Sequence, residues 1–308
     1  MVIGDKLPWR FILRLHAPWL ALTAGIAVAA FLTRKLVEVK LPVTPVPFQI
    51  AGVALAIFLG FRNNSAYDRW WEGRKLWGGI VNQSRTFARH LLTLIVAPDS
   101  DRAAVTELQQ RVLYRHFAWL NALKQQLRGL DVHEAIAPFV SSEEKEAAKA
   151  QKNVAAWLLH LQGKDVTEAA RRGWLTDFRL DMIDRGLTEL INFQGGCERI
   201  KSTPIPTAYR VFTRLFTRVY VAILPLGMLE HVELAALPVL LGLSLAFLVL
   251  ETLGRIMEDP FTLAPNALAL NAICRNIEIN LRQQLGETEL PAAIVPETAS
   301  FGGVPVLL

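Results

Sequence analysis

GVALAIFLGFRNNSAYDRWWEGRKLWGGIV, Gly52 to Val81, begins with the composition of a membrane helix and ends with that of a soluble one. The apolar run that closes at Phe61 passes without a turn signal into Arg62, Asn63, Asn64, Tyr67, Arg69, Trp70 and Trp71. A lipid-facing helix does not end this way. At about 3.6 residues per turn, Val53, Ile57 and Phe61 stand one above another on a single face. Such a stripe has two readings, and the residues alone leave both open. It is a packing stripe inside a helix bundle, the commoner case, or it is a hydrophobic constriction that lines a pore and gates it by dewetting.

Upstream, the uncharged window from Leu41 to Phe61 opens with Pro42, Pro45 and Pro47, so its early part reads as extended loop. The helix is expected to start near Pro47, where the missing N–H costs nothing. Leu15 to Thr33 lacks Asp, Glu, Lys and Arg over about 19 residues, close to the roughly 20 that span a bilayer. It starts too late and runs too long for a signal-peptide core, and no cleavage site follows. Downstream, Val219 to Leu229 is too short to span alone. It is preceded by Arg210, Arg214 and Arg218, which share one helix face and either snorkel or point into protein. Leu234 to Leu250 is uncharged and is followed by Glu251, Arg255, Glu258, Asp259 and Pro260. The last two stretches are expected to form a membrane hairpin turning at Glu230–Glu233. Charges at this density predict helix ends that are shallow or buried in protein, not in lipid contact.

The chain of 308 residues is 52% hydrophobic and 20% charged, which excludes disorder and places the weight of the argument on clustering. Its net charge of +5 comes from basic residues spread along the chain, so an anionic membrane surface is indicated and nucleic acid is not. Cys197 and Cys274 cannot make a disulfide framework or a structural zinc site. Outside the apolar windows the pattern is helical. Val105, Leu108, Val112, Leu113, Phe117, Leu120 and Leu123 define an amphipathic helix. Ser141 and Glu144 form a capping-box signature for another, expected to carry Trp157, Leu158 and Leu161 and to end at Gly163. Asp177 is expected to cap a third, running to about Cys197. No stretch alternates with period two, so the fold class is all-α.

The expected organisation is one domain. Its membrane helices fall at about 17–34, 47–70, 211–230 and 234–256, and a cytosolic helical region covers about 71–210 and 257–290. The tail, 291–308, is extended. The basic segment after the second span favours the cytoplasm, which an even number of spans then assigns to both termini. Six scattered histidines and the absence of a nucleophile elbow, P-loop or zincin motif give no catalytic set, so an enzyme is not expected and no cofactor is called for. The acid pair Glu258–Asp259 either binds a cation, relays protons, caps a chain reversal at Pro260 or pairs with Arg255.

FLGFRNNSAYDRWWEGRKLWGG (58–79), GCERIKSTPIP (196–206), EDPF (258–261) and NAICRNIE (271–278) occur in this order along the chain. Together they resemble the bestrophin family of ion channels, its bacterial branch most closely. The resemblance covers nearly the whole chain. It implies a homopentamer in the bacterial plasma membrane, each subunit giving four membrane helices and a cytosolic helical region around one central pore. Carried residue by residue, the pore neck falls on Val53, Ile57 and Phe61, which favours the pore reading of the stripe. The family label is chloride or anion channel. Two departures stand out. The eukaryotic members' acidic calcium-binding run after the fourth helix is absent, since EDPF is followed here by TLAPNAL, so neither a metal site nor calcium gating is expected there. At the cytosolic aperture, where the family places an apolar side chain, ungapped counting back from GCERI reaches Asp181. An axial ring of Asp181 would favour Na⁺ or K⁺ over chloride; alternatively Asp181 pairs with Arg185 on a solvated helix face. A cation channel of the same fold and a non-conducting membrane scaffold are therefore the rival readings.

Overall fold

The computed structural model describes residues 9–37, 44–228, 236–264 and 266–296. Among them all regular structure is helical. The first helix, α1 (Trp9–Val37), starts earlier than its uncharged window and carries Pro18 inside it. The second, α2 (Val46–Leu94), has Pro47 in its first turn and runs unbroken for 49 residues, about 74 Å at roughly 1.5 Å per residue. That length exceeds a bilayer of about 30–45 Å, so one helix is shared by a membrane part and a body outside it.

What lets α2 serve both parts is a buried seam. Gly52, Leu55, Leu59, Arg62 and Ala66 are buried at alternating steps of three and four, and the rhythm resumes at Gly73, Trp77, Ile80, Ser84, Phe87 and Leu91. A seam with a repeat of about 3.5 residues keeps facing one side along a long helix. In its first half it meets α8 (Thr207–Ile223) and α9 (Leu237–Met257), where Leu55 and Leu59 join Tyr220, Val221, Leu240 and Phe247 in a small core. In its second half it meets α3 (Arg102–Arg128), α7 (Asp177–Ser202) and α10 (Leu270–Gln284), where Trp77, Ile80, Phe87 and Leu91 enter a larger one with Phe117, Trp119 and Leu190. The close approach of α2 and α7 depends on missing side chains. A Cβ on Gly79 would lie 2.5 Å from the Phe193 ring, and one on Gly196 would lie 2.8 Å from a Leu76 methyl. Two of the sequence blocks above are thereby explained as one interface.

Several expected boundaries are corrected. The capping box at Ser141 is formed, with Ser141 Oγ accepting from the Glu144 N–H, but it starts only the short α5 (Ser142–Ala148). Trp157, Leu158 and Leu161 belong to α6 (Val154–Arg171), whose start is fixed by Asn153 Oδ1 accepting from the Ala156 N–H at 3.0 Å. Gly163 lies inside α6 and does not end it; one glycine costs a helix only about 1 kcal/mol, and the buried Val166 and Ala169 beyond it outweigh that. The turn that follows uses Gly173, at φ +77°. For α7 the cap is Thr176, not Asp177. Thr176 has the extended backbone a cap needs and accepts from the Arg179 N–H, whereas Asp177 sits in the first turn, where its charge suits the helix dipole. The helix then runs past Cys197 to Ser202. Between α3 and α5, α4 (His133–Ile136) is a single turn.

Among the described residues three helices are long and apolar enough to cross a membrane: α1 over Arg10–Leu36, α2, and α9. The remaining candidate, α8, has 17 residues and begins at Thr207, ending at Ile223 with a 3₁₀ extension, Leu224–Met228. The expected turn at Glu230–Glu233 and the end of the tail, 297–308, lie outside the described residues, while 287–296 is not helical.

Candidate functional site

The face of α2 opposite its seam carries the stripe. Val53, Ile57 and Phe61 are 62%, 55% and 63% exposed, although Gly52 beside Val53 and Arg62 beside Phe61 are buried. All three side chains are more than half exposed, so within the chain they are not part of a core. Burying three such side chains would release several kcal/mol, at about 25 cal/mol per Å² of apolar surface. That gain applies if the face meets water; a face that meets lipid needs no partner.

One residue beyond Phe61, Arg62 turns the other way and is fully buried. Its Nη1 donates to Glu251 Oε1 at 3.4 Å, and its Nη2 stands 3.6 Å from Glu258 Oε2, an ion pair longer than a hydrogen bond. Both carboxylates are on α9 or directly after it, and both also face α8. Arg214 lies 3.8 Å from Glu251, and Arg210 lies 3.9 Å from Glu258. Arg210 and Arg214 of α8 thus face carboxylates of their own chain while staying about 40% exposed, and Arg218, an exposed residue, stacks on the Trp19 ring of α1 at 5.0 Å. Two turns further along α2, Arg69 uses its whole guanidinium on backbone carbonyls. It donates to Ile200 O at 2.6 Å, Thr203 O at 2.7 Å and Glu258 O at 3.1 Å, closing the C-terminal ends of α7 and α9. Lys201 adds an ion pair to Asp259 at 2.6 Å, and Asp259 Oδ1 accepts from the Phe261 N–H, capping the reversal at Pro260. The acid pair is thus used in ion pairing and in capping the reversal, with Arg62, Arg210 and Lys201 as the ion-pair partners and not Arg255. The loop after it supplies carbonyls, Asn266 O to the Trp70 indole at 2.8 Å and Phe261 O to Arg128.

Asp181 is on an exposed face of α7, 2.8 Å from Arg185 Nε. It is not near the α2 stripe in sequence or in any contact of the described residues. Cys197, within GCERI, is buried, and its thiol is pushed up to about 12 by burial first and then by Glu198 and Glu72. It stays protonated and packs; it is not a nucleophile. Burial raises Cys274 in the same way, to about 11.

The family model for the bacterial/fungal bestrophin protein matches residues 10–283. The chain belongs to the bestrophin family. Among relatives of this bestrophin, the voltage-dependent anion channel-forming protein RSc3414 of Ralstonia nicotianae is 33% identical over 275 residues, covering 89% of this chain and 83% of that one. The voltage-dependent anion channel-forming protein YneE of Escherichia coli K12 is 35% identical over 254 residues, covering 82% and 81%. Both relatives are named as channel-forming proteins and not as enzymes. The crystal structure of a bacterial bestrophin homolog from Klebsiella pneumoniae matches with a TM-score of 0.81 at 30% identity, over 88% of this chain and 98% of that chain. Three of the four blocks that carry the family resemblance, 58–79, 196–206 and 258–261, are joined in space by the charged contacts of Arg62, Arg69 and Lys201. Their roles escape sequence reading, because each partner is more than 50 positions away along the chain. The available signal was Arg62 itself, a charge set directly against the end of an apolar run.

Proposed function

We propose that this bestrophin is a passive channel for small monovalent ions, anions foremost, formed by five copies around a central pore in the bacterial plasma membrane. Each subunit contributes four membrane helices, α1, the first half of α2, α8 and α9. With its 3₁₀ extension α8 reaches roughly 35 Å, using about 1.5 and 2.0 Å per residue. Both termini face the cytoplasm. The observation that carries the reading is the exposed α2 stripe: five copies of Val53, Ile57 and Phe61 make three stacked apolar rings, which hold ions back until they widen. The names of the relatives support anions as the permeant class.

A cation-selective pore is the second reading. Asp177, Asp181 and Asp184 are exposed on the first turns of α7 at spacings that share a face, so an axial arrangement would collect carboxylates at an aperture. The pairing of Asp181 with Arg185 weakens that charge. Planar-bilayer recording of the reconstituted protein under a KCl gradient separates the readings. A reversal potential near that of chloride supports the anion channel; one near that of potassium supports the Asp181 aperture; verified insertion with no current leaves a scaffold.

A further inference from the structure

A cavity of about 160 Å³ lies between α1, α8 and α9, away from the α2 stripe. Its charged lining is lopsided, with Arg214, Arg218 and Arg255 against the single carboxylate of Glu251. That carboxylate is already held by the buried Arg62 at 3.4 Å. Among the described residues no carboxylate is within ion-pair distance of Arg218 or Arg255, and Arg218 is kept in place by the Trp19 ring. Arg218 and Arg255 are exposed at the mouth of the cavity and Arg214 is half-buried, so three guanidinium groups converge on one opening where an anion can reach them. The volume suits a phosphate group and not a whole lipid.

The surroundings indicate where such a phosphate would come from. Leu15 lines the cavity and is itself exposed, and the outer face of α8 carries exposed Leu215, Phe216 and Val219. An apolar outer face beside an arginine-lined pocket matches a phospholipid, acyl chains outside and headgroup within. The three arginines also sit at the charged ends of the apolar windows, the level of headgroups, and a tryptophan at that level is the usual interfacial anchor.

We infer that this cavity binds the phosphate of an anionic phospholipid headgroup through Arg214, Arg218 and Arg255. The inference rests on reading α1, α8 and α9 as membrane helices, but not on ion selectivity, and its test reads no current. The purified full-length protein in detergent is titrated in a native mass spectrometer with phosphatidylglycerol, with phosphatidylcholine of the same acyl chains, and with inorganic phosphate. Phosphatidylglycerol is expected to stay bound under activation that strips phosphatidylcholine. Replacing two arginines in R218Q/R255Q is expected to weaken it roughly twenty-five-fold, about fivefold for each interfacial basic residue. Leu15→Trp, which obstructs the cavity without removing a charge, is expected to weaken it as well, and Arg171→Gln on the exposed end of α6 leaves it unchanged. Equal retention of the two lipids, or full retention by both R218Q/R255Q and Leu15→Trp, overturns the site. Displacement of phosphatidylglycerol by inorganic phosphate overturns the lipid source and leaves a site for a soluble anion.

Discussion

Replacing Arg62 by methionine tests whether the buried charges behind the stripe hold the membrane helices together. Arg62 is fully buried, with Glu251 and Glu258 within 3.4 and 3.6 Å. At charge separations of about 4 Å and an effective dielectric near 20, each attraction is roughly 4 kcal/mol before desolvation. Taking three charged groups out of water opposes that by several kcal/mol per ion, so the cluster adds little net stability over apolar side chains of the same volume. Breaking it is a different matter, because Arg62→Met leaves both carboxylates in place. Cutting one partner from a buried pair costs about 3–5 kcal/mol. Arg214 and Arg210 still face the two carboxylates at 3.8 and 3.9 Å, from positions that are 39% and 41% exposed, which sets the expected loss at the lower end, near 3 kcal/mol. That corresponds to a fall in Tm of about 6–12 °C, from roughly 2–4 °C per kcal/mol. Tryptophan fluorescence of the detergent-solubilised protein during heating reads it. The triple change R62M/E251Q/E258Q, which removes the orphaned carboxylates, is expected to regain at least half of the loss. A Tm for Arg62→Met within about 1 °C of the parent, or a triple variant less stable than the single one, would refute the argument.

Shortening the apolar rings should open the pore: Ile57→Ala and Phe61→Ala are expected to raise single-channel conductance, with little loss of stability because both side chains are exposed in the subunit. A fall in Tm with unchanged conductance would instead mark them as packing residues between subunits. His116 is fully buried, and burial lowers its pKa to about 4 against a usual value of 6.5, with Gln162 opposing slightly. The unfolded chain therefore takes up the proton first as pH falls, so stability is full above about pH 6.5 and is lost towards pH 4, by up to about 3 kcal/mol. Denaturant titrations across that range should show this slope, and His116→Gln should remove most of it. Gly79→Ala drives a methyl against the Phe193 ring and is expected to cost about 1–3 kcal/mol, measured by the same melts.

The helical class and the membrane windows were legible in the sequence because both depend on local composition. The stripe at Val53, Ile57 and Phe61 was legible as one face, and it is exposed in the chain while Leu55 and Leu59 are buried, but which surface it meets is not written in its own segment. Boundaries fared worse where two local signals competed. Thr176 and Asp177 are both good caps, and only the backbone at Thr176 decides between them. Gly163 has the look of a helix stop, but the burial of residues past it governs. The partners of Arg62, Arg69 and Lys201 were not legible at all, since ion pairs across elements leave no periodic trace. Whether Asp181 faces a pore axis depends on the proposed assembly, which no property of its own segment encodes.

The continuity of α2 restricts how this protein can change in length. Its membrane half and its outer half are phased by one helix, so a single residue inserted between Phe61 and Gly73 would turn everything beyond it by about 100°. Trp77 and Phe87 would leave their core, or the stripe would swing away from its own side. Inserting seven residues instead restores the facing to within about 20° while lengthening the rod by roughly 10 Å. Homologous helices of this kind should therefore be frozen in length or differ by whole heptads, a ruler with coarse divisions.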